Sequence, residues 1–137
     1  AVLGAKLGTM ATVVYVLLGA VGLPIFANFH GGISALAGVT GGYIWAWPFM
    51  TFLCGIQPKV QNKTANWAIR IVLALLGLAI VEVIGGIQWH FVGGSMSLSA
   101  IAIYSLTAFV PKDIVITILA LFIAVPVRRA IEHAGAR

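Results

Sequence analysis

The stretch WAIRIVLALLGLAIVEVIGGIQWHFV, residues 67–92, is an apolar run long enough to cross a lipid bilayer. About 20 consecutive apolar residues span the hydrocarbon core of a membrane when they form a helix. The run contains only two charged residues, Arg70 near its start and Glu82 in its interior. It therefore predicts a membrane-spanning helix.

The composition of the whole chain agrees with this prediction. Of its 137 residues, 61% are hydrophobic and 8% are charged, and the mean hydropathy is +1.10. Soluble domains carry about 25% charged residues, because their surface faces water. A bilayer instead solvates an apolar exterior. We therefore predict an all-α integral membrane protein built as a bundle of hydrophobic helices.

Proline, glycine and charged residues separate this run from three others. The predicted spans, four in all, are residues 7–27, 42–57, 67–92 and 113–130. Each is apolar over most of its length, as a helix in contact with lipid requires.

The segments between the spans differ in character. Residues 28–41 are rich in glycine and uncharged, which predicts an ordered, non-helical connection at the external face. Residues 58–66 form a polar loop, which we place in the cytoplasm. Residues 96–110 are short and carry several hydroxyl groups, which favours an external or re-entrant helix that does not cross.

The basic residues test this topology, because Lys and Arg are enriched on the cytoplasmic side of membrane proteins. With four spans, Lys112 alone falls on the external side. The other basic residues share the opposite side: Lys6, Lys59, Lys63, Arg70, Arg128, Arg129 and Arg137. The pattern predicts a multi-pass protein of the cell membrane with a cytoplasmic C-terminus. It also explains the net charge of +5 without a nucleic-acid partner.

Two acidic residues are candidate ligand-binding groups. Asp113 opens the last run at its external end, where it suits either a helix N-cap or an acceptor for ligand N–H groups. Glu82 lies inside a span, where ionisable residues are usually functional. On a helix it shares a face with Gly85, Gly86 and Trp89, which leaves room for a ligand. The alternative for Glu82 is a protonated carboxyl bonded to a neighbouring helix.

His30 and Tyr43 flank the glycine-rich connection and are further candidates, although both positions also suit residues of the membrane interface. The sequence has no H-E-x-x-H motif or paired Cys/His spacing for a metal. It has no G-x-x-x-x-G-K-[ST] loop for nucleotide hydrolysis either. We therefore predict a protein that is not an enzyme and that uses no metal or cofactor.

Two separated motifs point to a known family. Residues 23–26 (LPIF), 31–32 (GG) and 38–43 (GVTGGY) resemble an LPVF…GG…GPTGGY signature, and residues 109–113 (FVPKD) resemble F-[IL]-P-G-D. Both belong to the BioY family, the biotin-binding substrate subunits (S-components) of energy-coupling-factor (ECF) vitamin transporters. The resemblance implies a six-helix fold of which the first helix and most of the second lie outside this sequence.

The resemblance also implies a function and partners. The expected function is high-affinity capture of biotin for uptake, with a transmembrane coupling subunit and ATPase subunits as partners. By position, Tyr43 matches the signature tyrosine and Asp113 the ligand-binding aspartate. A carboxylate suits biotin, whose ureido ring offers N–H donors that need a partner once they are buried.

The sequence departs from the family pattern at two positions that bear on binding of the ligand carboxylate. Ile116 stands where many members carry Lys, and Ile44 stands where some carry Arg. We therefore consider Lys112 and His30 as partners for the carboxylate of biotin. Glu82 occupies a position where the family pattern leads us to expect an uncharged residue.

Three alternative functions remain open from the sequence. The chain could be an S-component for another vitamin or for a biotin precursor. It could also be a proton-coupled secondary transporter that uses Glu82, or a structural membrane subunit that transports nothing.

Overall fold

The computed structural model describes residues 1–94 and 96–135, which form helices joined by short connections. A 3₁₀ turn at Ala27–Phe29 and a π-helical segment at Ser105–Phe109 accompany the α-helices. These α-helices are α1 (Gly4–Ala20), α2 (Ile33–Ala37), α3 (Gly41–Gly55), α4 (Lys63–Gly93), α5 (Leu98–Tyr104) and α6 (Val110–Gly135). The described part of the chain has no β-strand, so the all-α prediction is confirmed there. Arg137, which entered the topology prediction, lies outside the described residues.

The longest α-helix, α4, begins and ends at residues suited to those positions. The side chain of Asn62 accepts hydrogen bonds from the backbone N–H groups of Thr64 (2.9 Å) and Ala65 (3.3 Å). Such a cap satisfies donors that have no partner inside the helix. At the other end Gly94 has φ 61°, a left-handed conformation that glycine adopts without steric cost. The helix starts before the apolar run because the polar cap, and not the first apolar residue, fixes its beginning.

Residues 98–135 form one continuous helix, whereas the sequence predicted a separate short helix at 96–110 and a new one from 113. Proline usually breaks a helix because it lacks an N–H and its ring meets a carbonyl of the preceding turn. Here Pro111 follows the π-helical segment, whose wider turn changes the position of that carbonyl. The separate-helix prediction is therefore wrong.

The glycine-rich connection also differs from the prediction. Helix α1 ends at Ala20 instead of residue 27, and Gly22 follows it with φ 115°. The connection then forms the five-residue helix α2, so it is not wholly non-helical. The N–H of Gly32 donates to the carbonyl of Gly19 over 2.6 Å, which fastens the connection to the end of α1.

Helix α3 lies between α1 and α4, and α4 also contacts α5 and α6. The hydroxyl of Thr12 on α1 donates to that of Thr51 on α3 over 3.0 Å. Glycine allows α3 and α4 to approach closely, since a Cβ atom on Gly42 would lie 2.7 Å from the carbonyl oxygen of Ile84. The arrangement leaves a space between α3, α4 and the start of α6.

Two helices of the described residues are long and apolar enough to cross a membrane, Lys63–Gly93 and Leu98–Gly135. Helices α1 and α3 are apolar but shorter, with 17 and 15 residues. Many large apolar side chains face outward, among them Val83 on α4 and Ile123 on α6. Such an exterior is that of a membrane protein, whereas two helices of sufficient length do not establish the predicted count of four spans.

Candidate functional site

A cavity of about 480 Å³ lies between α3, α4 and α6, beside the glycine-rich connection. Its wall is mainly apolar and includes Ile44, Trp47, Leu78 and Val81. Pockets for small ligands are typically 300–1,000 Å³, with an apolar wall and a few polar groups that orient the ligand. The polar or amphipathic residues in this wall are Thr40, Tyr43, Glu82, Trp89, Asp113 and Thr117.

Four of the six predicted site residues meet at this cavity: Tyr43, Glu82, Trp89 and Asp113. They come from three different helices, α3, α4 and α6, so no single motif brings them together.

Asp113 lies within a continuous helix and not at its end. Because the helix runs on from residue 98, the predicted N-cap role is wrong, and the cavity role is the one the geometry retains. Its side chain is 28% exposed, and one carboxylate oxygen lies 3.1 Å from the ammonium group of Lys112. The other oxygen therefore remains free of the ion pair and can accept a hydrogen bond from a ligand.

The ring of Tyr43 lies flat against α4 at a glycine. A Cβ atom added to Gly85 would overlap this ring, so only glycine allows the contact. The ring also meets Phe109 edge to face, with 6.5 Å between the centroids. These contacts fix the ring, while the hydroxyl is buried and has no hydrogen-bond partner in the described part of the chain.

Glu82 and Ser105 each contribute another buried polar atom without a partner among the described residues. The hydroxyl of Ser105 lies near both the phenol of Tyr43 and the carboxyl of Glu82, although no pair has the geometry of a formed hydrogen bond. An unpaired buried polar atom costs about 1–3 kcal/mol. Tyr43 and Glu82 line the cavity, so an occupant of the cavity can supply partners for their buried atoms.

Gln88 positions the edge of the site and was not among the predicted residues. Its amide nitrogen donates to the carbonyl oxygens of Leu36 (2.8 Å) and Gly38 (2.7 Å). These bonds hold the glycine-rich connection against α4. A polar residue in an apolar run is the signal that could have identified Gln88.

The remaining predicted residues, His30 and Lys112, do not line the cavity. His30 is exposed, and its ring nitrogen Nδ1 lies 3.3 Å from the carbonyl oxygen of Ala27. Lys112 is 59% exposed, and its ammonium group lies 5.5 Å from the centroid of the Phe109 ring. Since Phe109 and Asp113 both line the cavity, Lys112 stands at its edge.

An apolar cavity with a few convergent polar groups inside a helical protein with an apolar exterior is typical of membrane proteins that bind small molecules. A sequence model of the BioY family matches residues 1–133. The chain belongs to the BioY family, and the resemblance drawn from its two motifs is confirmed.

Individual relatives agree with this family. The chain is 37% identical over 124 residues to the probable biotin transporter BioY of Pyrococcus horikoshii, covering 90% of this chain and 69% of that protein. It is 41% identical over 90 residues to the biotin transporter BioY of Thermotoga maritima, covering 66% of this chain and 52% of that protein.

A solved structure has the same fold. The crystal structure at 2.1 Å of the S-component for biotin from an ECF-type ABC transporter matches with a TM-score of 0.80 and 32% identity. The match covers 96% of this chain and 68% of that one. The chain thus spans between 52% and 69% of the length of these three proteins.

Proposed function

We propose that the chain is the ligand-binding part of a biotin transporter's S-component, which captures biotin at the membrane for uptake. The observation that carries the proposal is that Tyr43 and Asp113 line one cavity, although they come from opposite halves of the sequence. Both lie in motifs that resemble those of the BioY family. The names of the relatives and of the similar solved structure support biotin as the ligand.

Different parts of the cavity wall suit the polar ring and the apolar part of such a ligand. A ureido ring has N–H donors, for which the free carboxylate oxygen of Asp113 is an acceptor, and a carbonyl, for which the hydroxyl of Tyr43 is a donor. The apolar part of the ligand fits the wall formed by Ile44, Trp47 and Leu78. Burying this part in place of water favours binding.

The test is equilibrium binding of labelled biotin to the purified full-length protein and to its Asp113→Asn variant. We expect saturable binding that the variant weakens about a hundredfold, because a charge-assisted hydrogen bond is lost. Glu132→Gln is the matched control, since Glu132 is an exposed acid on the same helix that does not line the cavity. Failure of the folded wild-type protein to bind biotin would exclude this function.

A cavity that binds a ligand other than biotin gives a different result in the same assay. If another vitamin or a biotin precursor displaced the label more effectively than biotin itself, the S-component assignment would hold and the ligand would change. Uptake in cells separates the transport mechanisms. The proposed partners, a coupling subunit and ATPase subunits, predict that ATP depletion stops uptake. Uptake that survived ATP depletion and was lost in Glu82→Gln would favour proton coupling.

We also propose that α1, α3, α4 and the continuous helix 98–135 cross the membrane, with the C-terminus in the cytoplasm. The distribution of Lys and Arg supports this arrangement. Helices α1 and α3 are short, so the connection between them would lie partly at membrane depth, where its contacts with α1 and α4 satisfy backbone groups. In a Cys54→Ser background, a cysteine at position 61 should react with a membrane-impermeant maleimide only after the cells are opened. Labelling in intact cells would reverse the orientation.

A further inference from the structure

The ionisable side chains of the cavity wall have an unusual balance. Two of them are carboxyl groups, Glu82 on α4 and Asp113 on α6, and the wall has no Lys, Arg or His among the described residues. Both carboxyl groups line the same cavity, where like charges disfavour each other. The nearest cation, Lys112, already pairs with Asp113 at the edge of the cavity. The interior therefore favours ligand groups that donate hydrogen bonds and disfavours a negative charge on the ligand.

The Oε2 atom of Glu82 has no formed hydrogen bond in the described part of the chain, and the hydroxyl of Ser105 lies near this carboxyl group. Glu82 also lines an open groove of about 380 Å³, together with Ser105, which is not in the wall of the main cavity. The rest of its wall is apolar and includes Val83, Ile87 and Ile101. Glu82 thus stands between two spaces, and the described part of the neighbouring helices offers it no hydrogen-bond partner.

The buried atoms around Glu82 form a small polar site within the apolar wall. Its members are the Oε2 atom of Glu82, the hydroxyl of Tyr43 and the hydroxyl of Ser105, and all three are buried without a partner among the described residues. A carboxyl group retains an acceptor oxygen whether it is ionised or protonated, and a hydroxyl both donates and accepts. This polar site can therefore bind a ligand group that carries an N–H or O–H donor.

We propose that Glu82 determines which ligand the cavity accepts: it binds an N–H donor at the buried end of the ligand and, with Asp113, keeps a carboxylate out of the interior. The proposal rests on the proposed biotin function and specifies its ligand class. The ligand is a largely apolar ring with N–H donors on more than one edge. Its carboxylate lies at the edge of the cavity near Lys112 or is replaced by a neutral amide.

This arrangement makes a prediction about two closely related molecules, biotin and biotin amide. They share the ring system and differ in the charge at the end of the side chain. Because Lys112 is already paired with Asp113 and two acidic groups face the interior, the neutral amide should bind about tenfold more tightly than biotin. Replacing Glu82 by Gln keeps an acceptor oxygen but removes one acidic group, so the preference should move about tenfold towards biotin.

The experiment measures the dissociation constants of both ligands for the full-length wild-type protein, for Glu82→Gln and for the off-cavity control Glu132→Gln. The ratio of the two dissociation constants is the informative result, because a variant that is merely less stable weakens the binding of both ligands to the same extent. Ser105→Ala provides a second variant, which should weaken both ligands because the polar site loses a hydroxyl, with no change in their ratio.

The outcomes separate the two proposals. A shift of the ratio towards biotin in Glu82→Gln alone supports the role of Glu82. Biotin binding with the same ratio in all variants would overturn that role and leave the biotin function intact. Binding of neither ligand by the folded wild-type protein would overturn both.

Discussion

The polar side chains at the two ends of the helix pair α4 and α6 differ in whether their buried atoms have hydrogen-bond partners. Near the cavity, one polar atom each of Tyr43, Glu82 and Ser105 is buried and lacks a hydrogen-bond partner in the described residues. At the other end, Arg70 is also buried, but its guanidinium donates to Asn66 (2.8 Å) and Gln57 (3.4 Å). The guanidinium of Arg70 is thus bonded within the fold, whereas the atoms near the cavity can still bond to a ligand.

Gln57 stabilises the end of the helix pair that contains Arg70, because its side chain lies between two guanidinium groups. With its amide oxygen turned one way it accepts from Arg70, and turned the other way it accepts from Arg128 at 3.0 and 3.2 Å. Arg128 also donates to Glu132 (2.7 Å) and to the carbonyl oxygen of Val2 (2.7 Å). Satisfied networks of this kind stabilise a single arrangement of helices.

The largest effect expected from this comparison is on stability, in Arg70→Ala. The substitution leaves the side chains of Asn66 and Gln57 short of a donor, and we expect a loss of about 3 kcal/mol. The melting temperature in detergent should fall, while biotin affinity below that temperature stays the same. Arg129→Ala is the control, because Arg129 is an exposed cation at the same end. An equal fall in both variants would mean that charge, and not the hydrogen-bond network, is what matters there.

A smaller effect is expected from Gly85→Ala, which tests how the cavity is built. The added methyl group would overlap the ring of Tyr43, and such overpacking costs about 1–3 kcal/mol. Both stability and biotin affinity should fall, since the ring has to leave its position. Gly86→Ala is closely matched, because its Cβ would lie 3.6 Å from Ile101, an ordinary contact. Identical behaviour of the two variants would contradict the placement of the tyrosine ring.

The sequence predicted the presence of the helices better than the residues at which they begin and end. Apolar runs locate membrane helices because the bilayer requires them. Each of the four apolar runs contains a helix in the structure, and the count of four spans stays a prediction. The limits depend on local chemistry that hydropathy does not register. Asn62 extends α4 beyond its apolar run, and the π-helical turn carries the last helix through Pro111.

The site was predictable to the extent that its residues carry a local signal. Asp113 and Tyr43 lie in recognisable motifs, and Glu82 and Trp89 share a helix face next to two glycines. Ser105 has no such signal, because its importance depends on the side chains that α3 and α4 bring beside it. Contacts between distant parts of the chain decide that kind of role, and a single sequence does not contain them.

The smallest expected effect comes from Tyr43→Phe, which removes one hydroxyl and keeps the ring. If the hydroxyl serves the ligand, biotin affinity should fall about fivefold, equivalent to about 1 kcal/mol. The melting temperature without ligand should stay the same or rise, because a buried hydroxyl without a partner is removed. Titration of biotin and a thermal melt of the same sample measure both quantities.

Tyr15→Phe is the informative control, since the hydroxyl of Tyr15 donates to the carbonyl oxygen of Ile25. The hydroxyl of Tyr15 thus has a hydrogen-bond partner, and Tyr15 is not among the residues that line the cavity. Its loss should therefore lower the melting temperature and leave biotin affinity unchanged, the reverse of the result for Tyr43. If both variants lost stability and neither lost affinity, the missing partner of the Tyr43 hydroxyl would not be the ligand. The contrast between the two ends of the helix pair would then be one of packing and not of function.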